Sequence, residues 1–174
     1  MVNRLCTIAA LISLSLFCRA DDRIREDCLP FNLDHVKVEF IGGEFKIVDG
    51  GHWMFGFGGA EQQAQRALEV IRFYKMDSSC FAGRPHAPMN YLLASGKAPV
   101  GSMPEEQCKP FDTSGIVLSQ NGVFWKMLSG TEVLFDFGTK EFGAKQAIFA
   151  QYRYQFTHRC IVGPAGASFR YMRR

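Results

Sequence analysis

The sequence predicts an α+β fold built from two tandem copies of one module, each with a mainly antiparallel sheet and one covering helix. Three observations carry this expectation. The chain matches itself when shifted by 80 residues. Each matching segment alternates apolar and polar residues in short runs and then changes to helical spacing. Each also holds two cysteines at the same two places.

Residues 26–94 and 106–174 share 18 identities over 69 positions without a gap. The matches fall on Cys, Gly, Pro and aromatic residues, whose packing and backbone roles are the most specific. Glu26, Cys28, Pro30 and Phe31 meet Glu106, Cys108, Pro110 and Phe111, while Tyr74 and Tyr91 meet Tyr154 and Tyr171. Residues 95–105, rich in Ala, Gly, Ser and Pro, read as a linker. A module of this size buries a modest core, so the two copies are expected to pack together about a pseudo-twofold axis.

Within the first copy, Val36–Phe40 and Glu44–Val48 alternate as strands, with Gly42-Gly43 between them. Asp49-Gly50-Gly51 is a hairpin turn leading into a third strand, His52–Phe57. After Gly58-Gly59, the segment 60–75 places Ala64, Ala67, Leu68, Ile71 and Tyr74 on one helical face. Cys80–Ala82 and Met89–Leu93 complete the order βββαββ. In the second copy Thr139 is the expected helix N-cap, and Ala144, Ala147 and Ile148 continue the buried stripe.

The N-terminus has the layout of a signal peptide, residues 1–20. Arg4 precedes an uncharged run, Leu5–Phe17, too short to span a bilayer, and Cys18-Arg19-Ala20 suits cleavage after Ala20. The chain is therefore expected to be secreted, with no stable membrane anchor. Its mature form would hold 18 basic and 17 acidic side chains, a balance that argues against nucleic acid as a partner.

Cleavage leaves Cys28, Cys80, Cys108 and Cys160, an even count that implies disulfides in an oxidising compartment. A module that existed before duplication would pair its own cysteines, giving Cys28–Cys80 and Cys108–Cys160. Pairing Cys28 with Cys108 and Cys80 with Cys160 keeps the same symmetry and is the alternative. A zinc site would space two ligands closely, and no C-x-x-C occurs, so no metal or other cofactor is expected.

Phe45–Gly50, His52-Trp53, Phe57-Gly58 and Cys80–Pro85 together resemble a small extracytoplasmic domain of unknown function found in secreted microbial proteins. The resemblance covers residues 26–94 well and 106–174 weakly. It implies secretion and the module fold, and no activity.

The two copies also act as an internal control. Asp49, His52, Trp53, Arg84 and His86 face Ser129, Glu132, Val133, Pro164 and Gly166, so these polar residues are peculiar to the first copy. They are the candidate binding site: Trp53 to stack on a sugar or apolar group, Arg84 to grip a carboxylate. Their bland reading is a turn residue, a core aromatic and a loop-shaping Arg-Pro pair. His35, His52, His86 and His158 show no metal spacing, and no nucleophile elbow or phosphate loop occurs, so no catalytic residue is assigned. The expected function is a non-catalytic secreted module that binds an extracellular protein or glycan or forms part of a matrix. The alternatives are an enzyme inhibitor or effector acting through residues 83–89, and a hydrolase with its site near His52.

Overall fold

The computed structural model describes residues 24–163 and 169–174, so the expected signal peptide and the positions of Pro164 and Gly166 lie outside the described residues. The elements run β1 (Asp27–Pro30), β2 (Val36–Ile41), β3 (Glu44–Asp49), β4 (His52–Gly56), α1 (Glu61–Phe73), β5 (Ser78–Ala82) and β6 (Met89–Leu93). They continue β7 (Gln107–Pro110), β8 (Ile116–Asn121), β9 (Phe124–Ser129), β10 (Glu132–Gly138), α2 (Glu141–Tyr154), β11 (His158–Val162) and β12 (Phe169–Arg173). Every ladder is antiparallel, so the class is α+β.

Two expectations need correcting. Each half holds two three-stranded sheets rather than one, in the orders β2-β3-β4 and β1-β5-β6, then β8-β9-β10 and β7-β11-β12. Each half also gains a strand at its first cysteine. β1 and β7 are short, end in proline and show no alternation; pairing and a cross-strand disulfide make them strands. Cys28 lies directly opposite Cys80, and Cys108 opposite Cys160, and both pairs are bonded.

The hairpins follow their turn residues. Gly42 and Gly43 both take positive φ between β2 and β3, a backbone that side chains resist. α1 lays Ala64, Ala67, Leu68 and Ile71 on the β2-β3-β4 sheet, small residues allowing a close approach. α2 buries Ala144, Ala147 and Ala150 likewise, with Ile148 partly buried. Thr139 is not the N-cap of α2. Lys140 holds that position with no side-chain cap, since an ammonium has no acceptor to offer an amide, and it donates instead to the carbonyls of Gly83, Pro85 and His86.

The core sits in two clusters, and each draws on both halves of the chain. In one, Val36, Ile47, Leu68 and Ile71 pack with Cys160, Val162, Phe169 and Tyr171. In the other, Ala82, Met89, Tyr91 and Leu93 pack with Ile116, Met127, Phe137 and Ala147. β6 and β12 lie between them: Tyr91 serves one cluster and Leu92 the other, as do Tyr171 and Met172. Alternation along a strand here feeds two cores rather than a core and solvent. Residues 95–105 pack against the body: Ala98 is buried, and the Met103 amide donates to the Tyr74 hydroxyl at 3.2 Å.

Two carboxylates, Glu106 buried and Glu26 half-buried, tie the halves together. Glu106 Oε1 accepts hydrogen bonds from Tyr74 and Tyr171, each at 2.5 Å, and its Oε2 lies 3.2 Å from Arg173 Nε. Glu26 accepts from Tyr91 at 3.1 Å and lies 3.2 Å from Arg153. Burial, reinforced by the Glu106 carboxylate, pushes the Tyr74 phenol up to about 12. Burial with the adjoining carboxylates also raises Tyr91, Tyr154 and Tyr171 above the usual phenol range.

Candidate functional site

The site is built on the outer face of β3 and β4. The register pairs Asp49 with His52, Val48 with Trp53, Ile47 with Phe55 and Lys46 with Gly56, leaving Met54 as the extra residue of a bulge. Trp53 is 65% exposed, so it is a surface platform and not a core residue. Its indole lies against Gly56, where a Cβ would stand 3.3 Å from Cζ2. The Lys46 ammonium sits 5.0 Å from the ring centre and 3.2 Å from Glu44 Oε1, so a cation and a carboxylate flank the platform.

Trp53 opens onto a groove of about 430 Å³ shared with Glu44, Phe55, Phe81, Asn90 and Arg170. The guanidinium of Arg84 stacks 3.8 Å from the centre of the Phe81 ring, and its Nε lies 3.3 Å from Asp27. Arg84 therefore supports a wall of the groove while paired with a carboxylate.

The other three residues do not line this groove. Asp49 Oδ2 accepts the Asn32 amide at 3.0 Å and its Oδ1 lies 3.8 Å from His35, tying the turn before β2 to the β3–β4 hairpin. His52 is exposed beside it at the start of β4. His86 is exposed on the loop after β5, with φ 55°, and its carbonyl accepts from Lys140 at 3.0 Å.

A second, larger depression of about 900 Å³ is lined by Asn90, Glu106, Lys109, Phe135, Asp136, Arg159 and Arg170 among others. Glu132 receives Lys109 and Arg159, each at 2.7 Å, and Lys109 foremost holds its carboxyl below the usual range. The amide of Gly138, then Lys126, does the same for Asp136. Glu106, Cys108 and Cys160 bring metal-ligand atom types together, but the disulfide occupies both sulfurs.

Sequence reasoning missed Glu44, Phe81, Asn90 and Arg170. One trace of them was present: Asn90 and Arg170 are polar interruptions at matched positions in strands whose other residues are almost all buried. Comparison with protein families, with characterised proteins and with solved structures finds no match to this chain. Its chemistry is therefore read from its own geometry.

Proposed function

We propose that this chain is a secreted, disulfide-stapled, non-catalytic protein of two tandem copies packed about a pseudo-twofold axis, and that it binds an extracellular glycan through the Trp53 groove. The exposed Trp53 indole carries this reading. A broad aromatic plane left in water, flanked by Glu44 and Lys46, offers a sugar both a stacking face and hydrogen-bonding groups. Support for the two-copy reading comes from the repeated strand orders, the disulfides at equal sequence separations of 52, and the matched carboxylate–tyrosine clusters.

One observation favours a second reading, an inhibitor or effector acting through residues 83–89. Lys140 and Gln146 hold this exposed loop by its backbone, and preorganisation of that kind favours tight binding. A panel of soluble oligosaccharides and extracellular proteins separates the two. Trp53→Ala is expected to weaken glycan binding roughly tenfold or more, and Arg84→Ala less, since Arg84 only backs Phe81 in the groove wall. Full glycan binding by Trp53→Ala would remove the proposed site. Binding confined to a protein and lost in Arg84→Ala would favour the loop.

A further inference from the structure

The two depressions adjoin one another. Asn90 on β6 and Arg170 on β12 line both. The smaller part is walled by Phe55, Gly56 and Phe81, the larger by Phe135, Asp136 and Ile161, residues standing 80 positions further along the chain. Asn90 and Arg170 are themselves 80 apart, so the two parts meet at a matched pair. With volumes of about 430 and 900 Å³, the adjoining depressions together exceed what one small ligand fills, about 300–1,000 Å³. An extended ligand fits this shape.

The junction holds one exposed group with unspent bonding capacity. Arg170 is exposed and forms no ion pair among the described residues. The other charged groups lining the two depressions are committed. Lys109 and Arg159 are held by Glu132, Glu44 by Lys46, Asp136 by Lys126, and Glu106 by Arg173 and two tyrosines. Lys109 and Arg159 share the single Glu132 carboxylate, so the lining is net positive, and among the described residues Arg170 is its cation without an ion-pair partner.

We infer that the adjoining depressions take a linear oligosaccharide of sugar acids. One ring lies on Trp53 and a carboxylate meets the Arg170 guanidinium. The inference rests on the glycan reading of the Trp53 groove and adds to it the ligand's charge, length and path. An acidic peptide could satisfy Arg170, but the exposed indole platform in the same groove favours the sugar.

Calorimetry on the whole mature protein tests this with di-, tetra- and hexagalacturonate, cellohexaose as the neutral control, and an oligoglutamate peptide. Affinity should rise from the di- to the hexagalacturonate. Arg170→Ala and Arg170→Gln, both at an exposed position, should weaken hexagalacturonate roughly tenfold and cellohexaose much less, the effect of one charge-assisted hydrogen-bonding contact. Trp53→Ala should weaken both sugars. Equal binding of hexagalacturonate by wild type and Arg170→Ala overturns the inference, as does oligoglutamate binding in its place. If cellohexaose binds through Trp53 with no preference for the acid, the inference fails and the glycan reading stands. If no saccharide binds, both fail.

Discussion

Glu26 and Glu106 occupy matched positions yet carry different burdens. The side chain of Glu106 is 4% exposed and that of its partner Arg173 is 12% exposed, whereas Glu26 is 19% exposed and Arg153 is 55% exposed. Removing one member of a buried pair strands the other charge, which costs about 3–5 kcal/mol. Removing an acceptor near solvent costs about 1–3 kcal/mol. Glu106→Ala should therefore lower the urea midpoint more than Glu26→Ala; equal midpoints would mean that the two clusters are alike in energy. The residue scale also shows where sequence and structure part. Tyr74, Tyr91, Tyr154 and Tyr171 stood out as repeated aromatics, but their role depends on a carboxylate far along the chain. Asp49 took the turn role that its place before Gly50 suggested, and Trp53 turned out exposed. Periodicity says which face of a strand a residue is on, not whether anything covers that face.

At the scale of elements, the N-terminal end of α2 meets the first half backbone to backbone. Gly143 faces the Gly83 backbone, and a Cβ there would stand 2.4 Å from Gly83 Cα and 2.9 Å from its nitrogen. The Gly83 amide donates to Gln146 Oε1 at 3.1 Å, while the Lys140 ammonium gathers the carbonyls of the same loop. Gly143→Ala would ordinarily stabilise a helix by about 1 kcal/mol. Here backbone meets backbone and cannot yield as a side chain could, so overpacking should cost about 1–3 kcal/mol and reverse the sign. A lowered thermal midpoint is the expected result; a raised one would show that the loop can move away. The strands β2, β3, β4 and β6 and the buried stripes of both helices were legible in the sequence because their signals are local. The division into two sheets was not, because it depends on which strands meet. β1 and β7 were hidden for the same reason: they become strands only beside β5 and β11.

For the whole molecule, neither half owns a core. The β2-β3-β4 sheet and α1 are completed by β11 and β12, and the β8-β9-β10 sheet and α2 by β5 and β6. Each disulfide closes a loop spanning 52 residues and contributes about 4 kcal/mol in the chain-entropy model. A scaffold braced in this way can leave a large aromatic and an unpaired cation at its surface without losing its shape, and it sets β6 beside β12 so that Asn90 and Arg170 border both depressions. The central claim is that this surface receives a saccharide on Trp53. Trp125→Phe places at position 125 the residue type found at position 45 and leaves Trp53 the sole tryptophan. In that variant, titration with cellohexaose and with hexagalacturonate should change the indole emission saturably, with the stronger response to the acid. Emission that stays constant with both sugars at millimolar concentration would contradict the account.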